Sequence, residues 1–402
     1  MGKHLKDKDS QSIHHMLTSS PWSYQDLFDS IFIRANRLLA DHGKKVYLLI
    51  DEVGFRKKGN ESACVGRQYL GCIGKQDNGQ VGVVAALNSE EFYAPVNMEL
   101  FMPENWQNDS DRRSKAHIPE SILHRPKTTM ALETIIRIHK KIKSLEYVVF
   151  DGLYGSSIDL LATLINKQIP FVGDAKENIT VYLSLPNMEI PVKEGRGRKG
   201  KITKPTKEGI SIRDYHHNLN HSDFKALDVR EGTKGVLTAD FHRRQIWVLH
   251  KESGCFLSMH LLIRVNKDKS VQYAFGYNAQ KSTMRSMAKA QAQRVFVERV
   301  FEEGKNIVGM ADYQVRSWNG FHRHMALCSL ALLFLMEQKL LLCVKVGRVT
   351  AYQLQEIINA TILAISSVDD VISRLAKEIP RYQEEIMKNY IKLPTLQSRI
   401  NE

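Results

Sequence analysis

Cysteine is scarce in this sequence and badly placed for its usual structural roles. The five in 402 residues, Cys64, Cys72, Cys255, Cys328 and Cys343, are odd in number, widely separated and without a C-x-x-C pair. That pattern argues against a disulfide framework and against a zinc site, and an intracellular protein is expected. The N-terminus, MGKHLKDKDSQS, has no apolar stretch of signal-peptide type, and Lys6 stands where a myristoylation signal has Ser or Thr. Neither export nor a lipid anchor is expected. The longest apolar run, MALCSLALLFLM at 325–336, stops at Glu337, Gln338 and Lys339, short of the ~20 residues of a membrane span, and reads as a buried helix. No internal repeat stands out. Acidic residues are the last shortage: 44 Asp and Glu against 57 Lys and Arg leave a formal net charge of +13. This balance favours a polyanionic partner such as nucleic acid over an acidic small molecule.

What is present suffices for a sizeable core, since 43% of the residues are hydrophobic, and the length fits two domains or one domain with a large insertion. Helical periodicity runs over 20–42 after Ser and Pro start signals and stops at Gly43. Three runs rich in β-branched and aromatic residues follow at 45–51, 63–74 and 80–87, separated by turn residues, and predict an antiparallel meander. A helix is predicted at 127–143, a short buried strand at 146–151, a helix capped by Ser156 or Ser157, and a further strand in IPFVGDA. Three strands followed by alternating helix and strand make a mixed α/β sheet. From about 176 to 284 the chain turns to short strand-like pieces, then becomes helical to its end. Within that β-rich part, KEGRGRKGKITKPTK at 193–207 holds seven basic residues against one Glu. Such a run cannot pack a core; it is either a solvated loop or a phosphate-contacting arm.

Two aspartates stand where apolar strands end, Asp51 in YLLIDEVGF and Asp151 in VVFDGLYGS. Singly, an Asp there is most often a turn or cap residue. If the strands are neighbours, however, the carboxylates emerge side by side, and a later helix can bring a third against them. That helix is RVFVERVFEEGK at 294–305: at about 100° per residue, Arg294, Glu298 and Lys305 fall within roughly 40° of one another, opposite Phe296, Val300 and Ile307. A solvated face mixing charges is the plainer reading. Three clustered carboxylates repel one another unless a cation is present, and oxygen ligands of this kind suit Mg²⁺ or Mn²⁺.

Arg294, Glu298 and Lys305 match R-x3-E-x6-K, and the ordered blocks DEVGFRKKGNESACVGRQYLGCIG, VVFDGLYGSS and SWNGFHRHMAL accompany them. Together, from about residue 20 to 340, they resemble the DDE-type transposases of bacterial insertion sequences, in particular the subgroup with the signature Y-x2-R-x3-E-x6-K. Gln291 replaces the signature tyrosine, and Glu52 and Val53 replace the more usual second Asp and Thr of the first block. The resemblance implies an α/β fold: a ribonuclease-H-like mixed-sheet core with a β-rich insertion between the second and third catalytic carboxylates, and helical N- and C-terminal segments. Implied boundaries are a helical N-terminal segment at 1–43, shorter than family members often carry, the first part of the core at 44–175, the insertion at 176–284, core completion at 285–345 and a helical region at 346–402.

The resemblance further implies that Asp51, Asp151 and Glu298 are catalytic and hold two divalent ions, Mg²⁺ or Mn²⁺. Arg294 and Lys305 would contact DNA beside the scissile bond, as would Arg196, Arg198, Lys199 and Lys201 of the basic run. The implied activity is phosphodiester cleavage at the ends of a mobile element and transfer of those ends into target DNA. The implied partners are terminal inverted repeats and target DNA, with a homodimer in the DNA complex and no membrane. The expected location is the bacterial cytoplasm, at the nucleoid when DNA is bound. A DNA-binding protein without catalysis, and a metal-dependent nuclease without strand transfer, remain alternatives. Asp174 and Asp312 are spare acids. His322, Arg323 and His324, like Trp106 and Trp318, are expected to pack more readily than to touch DNA, and Tyr154 and Gly155 to shape the turn after Asp151.

Overall fold

A computed structural model describes residues 10–41, 45–90, 92–190, 203–232, 235–280, 283–346 and 349–365. Helices α1 (Ser10–Thr18) and α2 (Tyr24–Asp41) come first, and α2 buries Phe28, Ile31, Phe32, Ala35 and Leu39 along one face. The spacing of those residues is that of an amphipathic helix. Strands β1 (Val46–Arg56), β2 (Gly66–Leu70), β3 (Lys75–Ser89) and β4 (Phe92–Leu100) follow. Next are α3 (Ser110–Lys115), α4 (Lys127–His139), β5 (Leu145–Phe150), α5 (Gly152–Gly155), α6 (Ile158–Asn166) and β6 (Phe171–Asp174).

Strands β1 and β3 pair antiparallel, as do β2 and β4 with β3, whereas β5 is parallel to β1 and β6 parallel to β5. Parallel neighbours need a crossover, which α5 and α6 supply between β5 and β6. Strands covered on both faces read as unbroken apolar runs. That is why Val46 to Ile50 and Tyr147 to Phe150 are buried throughout, and why burial relaxes at Asp51 and Asp151.

The three expected strands are present and antiparallel but not as the predicted meander, because β1 pairs directly with β3 and β2 lies on β3 rather than between them; two further differences follow. The run at 63–74 is a strand only over β2, because its chain turns through a short 3-10 helix at Gly71–Ile73. Strand β4 is additional. Pro95 interrupts its sequence and has no N–H for a ladder, and the structure accommodates it with a register shift at Ala85/Ala86 of β3.

Four short strands and one helix come next: β7 (Thr180–Val181), β8 (Met188–Glu189), β9 (Lys204–Pro205), β10 (Ile210–Ser211) and α7 (Ile212–His217). Then come β11 (Lys225–Gly232), β12 (Gly235–His250), β13 (Cys255–Val265) and β14 (Val271–Tyr277). These last four are antiparallel neighbours, and β14 pairs with β6. The β-rich segment therefore extends the central sheet, which has ten strands in the order β11-β12-β13-β14-β6-β5-β1-β3-β2, with β4 also on β3. Helices α8 (Met284–Gln293) and α9 (Val295–Asn306) lie across it, α8 touching β5, β6 and β11 and α9 touching β1 and β4.

The apolar run at 325–336 belongs to α10 (Trp318–Val346), of which Trp318–Leu342 is long and apolar enough to cross a membrane by length and composition alone. Half of that stretch is buried within the protein, with Trp318, Phe321, Met325 and Leu332 in the core. His322 is buried too. Its Nε2 accepts from the Leu100 N–H at 3.2 Å and its Nδ1 donates to the Trp318 carbonyl at 2.9 Å, while burial pushes its pKa down to about 4. Arg323 donates to the carbonyls of Trp22 and Leu17, His324 meets the Gly309 carbonyl, and the Trp106 indole donates to the Val65 carbonyl. These side chains pack the fold, as expected of them. Compact unit Met1–Met336 holds the whole sheet; the second unit, Glu337–Glu402, holds the end of α10 and α11 (Ala351–Ile365).

Close backbone approach fixes one position. A Cβ on Gly155 would lie 2.0 Å from the Asp174 carbonyl oxygen, and a carbonyl inside a strand cannot turn aside. Gly155→Ala is expected to destabilise the protein by about 1–3 kcal/mol, read as a lower urea midpoint with unchanged slope; an unchanged midpoint would show that the turn yields freely.

Candidate active site

Register places three acids in one row. Ile50 pairs with Phe150 and Phe150 with Gly173. The next residues on β1, β5 and β6, namely Asp51, Asp151 and Asp174, thus share one face at the ends of the parallel ladder. Backbone hydrogen bonds anchor two of them. Asp51 Oδ1 accepts from the Glu52 N–H at 2.7 Å. Asp151 caps α5, its Oδ1 accepting from the N–H groups of Leu153 at 3.0 Å and Tyr154 at 3.4 Å. In both side chains these bonds engage Oδ1 and leave Oδ2 outside them.

The cost of the row shows in its protonation. Burial, and then the neighbouring Asp151 charge, push the Asp51 carboxyl up to about 7, against the opposing pull of the Glu52 N–H and Arg294. Asp174 is raised as well, by burial first, with Arg294 and Gln291 working against the shift. Arg294 is the local counter-charge. It sits at the junction of α8 and α9 with helical backbone angles. Its Nη1 is 3.2 Å from Asp174 Oδ2 and its Nη2 3.6 Å from Glu298 Oε1. Burial disfavours its charge, but Asp174, Asp51, Asp151 and Glu298 together outweigh that cost, so its pKa rises.

Glu298, in the first turn of α9, is held by this i,i+4 contact and keeps a side chain 64% exposed. Gln291, one turn before Arg294, is buried and donates from Nε2 to Asp174 Oδ1 at 3.2 Å. Both Asp174 oxygens are therefore engaged, one by Gln291 and one by Arg294. Lys305 donates to the Gly54 carbonyl at 3.2 Å and lies 5.6 Å from the Phe55 ring centroid, tying α9 to β1 beyond Asp51. Glu52 is a bracing residue: it accepts from Lys127 Nζ at 2.6 Å and from the Tyr154 hydroxyl at 3.5 Å.

Thus Asp51, Asp151 and Arg294 are brought together, and Glu298 is joined to them through Arg294. The roles of Asp174, Gln291 and Lys127 are not evident in the sequence, although IPFVGDA carries the same apolar-run-then-Asp signal as the first two strands. Arg196, Arg198, Lys199 and Lys201 lie outside the described residues. Among those described, a group of ligand-type side chains with atoms all within 4.8 Å of one another lies elsewhere: Asp159, His250 and Glu252, at the start of α6 and the end of β12. His250 there is already bonded to Asp159 at 2.9 Å and Ser253 at 2.7 Å.

The profile of the family described as DDE superfamily endonuclease matches residues 1–236, more than half of the chain. The chain belongs to that family. A curated relative, the probable transposase for insertion sequence element IS701 of Microchaete diplosiphon, is 32% identical over 155 residues, 37% of this chain and 36% of that relative. The match thus spans about a third of the relative's length. Among solved structures, the NurA nuclease of Sulfolobus solfataricus aligns over 84% of this chain and 99% of its own with 10% identity and a TM-score of 0.28. Asp51, Asp151 and Asp174 all lie within the matched region.

The raised Asp51 sets a pH dependence in metal-free protein. Its native pKa exceeds the ordinary 3.8, so the folded state binds more protons than the unfolded one between roughly pH 4 and 7. The stability contributed by this group is present below that window and lost as pH rises through it. In chelator-treated samples, Asp51→Asn is expected to gain on the parent by roughly 1–3 kcal/mol between pH 5 and pH 8. Chemical denaturation at the two pH values measures this, and parallel curves would remove Asp51 from the repelling row.

Proposed function

We propose that this chain is a DNA transposase that cleaves phosphodiesters at element ends and transfers them to target DNA, with Asp51, Asp151 and Glu298 as its metal-holding acids. The observation that carries this reading is the carboxylate row at the end of the parallel ladder, with Arg294 as its counter-charge. The transposase name of the Microchaete relative and the family membership support it. The strand arrangement β4-β3-β1-β5-β6, three antiparallel strands followed by two parallel ones, supports a ribonuclease-H-like core.

The donor set fits a hard divalent cation. Asp51 and Asp151 are oxygen ligands placed side by side by the sheet, mutually repelling, each with Oδ2 outside its backbone bonds. Mg²⁺ or Mn²⁺, when bound, would activate the attacking hydroxyl and stabilise the leaving oxygen. Asp174 is the weaker candidate ligand, because Gln291 and Arg294 already occupy both its oxygens; it positions Arg294. Arg294 offers its fork to a phosphate beside the scissile bond, and α9 carries Glu298 on an exposed face that DNA can approach. Lys305 adds a point charge near β1. Partners in this reading are the element's terminal repeats, target DNA and a second copy of the chain in the DNA complex.

With end-bearing DNA and Mg²⁺ or Mn²⁺, Asp51→Ala, Asp151→Ala and Glu298→Ala are each expected to abolish nicking and joining while DNA affinity stays within about threefold. Near-normal cleavage by any one variant removes that residue from the site. Nicking without joining by the parent favours a nuclease, and binding without nicking a DNA-binding protein. Asp174→Asn should retain Mn²⁺ binding, followed by thermal shift, while slowing cleavage.

The basic run at 193–207 is proposed as a DNA arm. Neutralising Arg196, Arg198, Lys199 and Lys201 should weaken binding to all sequences alike and flatten the slope of log K against log salt by up to roughly 3.6. Superimposable salt series would make the run a solvated loop.

A further inference from the structure

Register also shows what the carboxylate face becomes farther along the sheet. Asp174 pairs with Ala274 of β14, and Ala274 with Leu262 of β13. Two residues beyond Leu262 is Arg264, opposite Phe241 of β12 and Gln272 of β14. The two-residue alternation of strands sets Arg264 on the face that carries Asp174. Arg230 of β11 stands opposite Leu237 of β12, four residues from Phe241, and so shares that face.

Arg264 is only 8% exposed, and its Nε has no hydrogen-bond partner. The Phe241 ring centroid is 5.9 Å away. Arg230 and Arg299 lie 6.0 and 5.5 Å from the Phe296 ring centroid on α9. Burial lowers the pKa of Arg230 and Arg264 below the ordinary guanidinium value without removing their charge. Like charge adds to this, Arg299 acting on Arg230 and Arg230 acting on Arg264. Asp174 and Asp268 pull the other way on Arg264, but Asp174 is engaged with Arg294 and Gln291 and Asp268 with Ser270. A buried guanidinium with an unmet N–H that also feels the charge of a second guanidinium on the same face is costly, and an anion reached by both would offset that cost.

We propose that Arg264 and Arg230 form an anion seat for a DNA backbone phosphate one or two linkages from the scissile one, so that the bound strand crosses from the carboxylate row to the guanidinium pair. Three strand spacings separate β5, whose end carries Asp151, from β13, roughly 14 Å, a span of about two phosphate linkages that the reach of an arginine side chain shortens. The inference rests on the reading of this protein as acting on DNA. It names residues of the β-rich segment that meet the reaction site through the sheet itself.

The test uses the full chain and end-bearing DNA carrying one neutral methylphosphonate at a time around the cleavage point. The parent should lose about tenfold in affinity at one or two linkages. In Arg230→Gln/Arg264→Gln that penalty should vanish, and the salt slope should fall by about 0.9 for each phosphate no longer neutralised. Arg230→Gln alone, at a partly exposed position, should remove part of the penalty and covers the case in which the buried Arg264 proves necessary for folding. Arg264→Lys, which keeps the charge, should retain part of it. An identical penalty pattern in the parent and in Arg230→Gln overturns the seat while leaving DNA binding standing. Failure of the parent to bind any DNA overturns the functional reading, and the seat with it.

Discussion

Mutual repulsion among acids fixed to adjacent strands is the constraint around which this structure is arranged. A sheet leaves little freedom: once Ile50, Phe150 and Gly173 are in register, Asp51, Asp151 and Asp174 have one common row. Burial makes the negative charges of Asp51 and Asp174 expensive, and the nearby Asp151 carboxylate makes them more so. Two devices offset the cost without removing the acids. Backbone N–H groups of Glu52, Leu153 and Tyr154 take one oxygen of Asp51 and one of Asp151, and Arg294 brings a guanidinium from the junction of α8 and α9. The junction matters, because Gln291 on one helix and Glu298 on the next both reach the same centre through Asp174 and Arg294. A residual penalty remains on Asp51, whose carboxyl is pushed up to about 7; in the proposed reading a divalent cation would offset it.

The surrounding fold serves to hold that row still. Lys127 and Tyr154 brace Glu52 on the strand residue next to Asp51. Gly155 lets the turn after Asp151 approach the Asp174 carbonyl more closely than any side chain permits. Lys305 ties the far end of α9 to β1. On the opposite flank of α9, Glu303 accepts a hydrogen bond from Tyr93 of β4 at 2.6 Å. The helix that carries Glu298 is thus fastened at its start by Arg294 and toward its end by Lys305 and Glu303. Glu298 itself stays exposed between these fastenings.

Much of this was legible in sequence because the signals were local. The apolar runs into Asp51 and Asp151 locate both strands, although only Asp151 follows the end of its strand, since β1 runs on past Asp51 to Arg56 in its pairing with β3; the spacing of Arg294 to Glu298 survives the break between helices because Arg294 keeps helical angles. What stayed hidden was non-local or masked by composition. Pro95 disguised β4, since a proline normally argues against a strand and only an edge position with a register shift accommodates it. Strand β12, GVLTADFHRRQIWVLH, interleaves His and Arg with apolar residues and so looked like short broken pieces. The pairing of β14 with β6 joins residues about a hundred positions apart in sequence, which no periodicity encodes. Gln291 looked like a missing signature tyrosine; in the structure it is the donor that holds Asp174 toward Arg294.

Continuity of the sheet changes what the β-rich segment can do. In the proposed reading, a separate domain on a linker could deliver DNA to the acids only by moving, whereas strands hydrogen-bonded through β14 to β6 are held by the sheet itself. Side chains on β11 and β13 are then tied to the strand end at Asp151 through successive backbone ladders. One face therefore runs from three carboxylates, through the Asp174–Arg294 pair, to Arg264 and Arg230. An acidic end suits cations and a basic end suits phosphates, and a nucleic acid strand carrying both kinds of contact needs them at a fixed separation. The ladder supplies that separation in steps of one strand spacing, which ties the distance between the two ends to backbone hydrogen bonds rather than to flexible side chains.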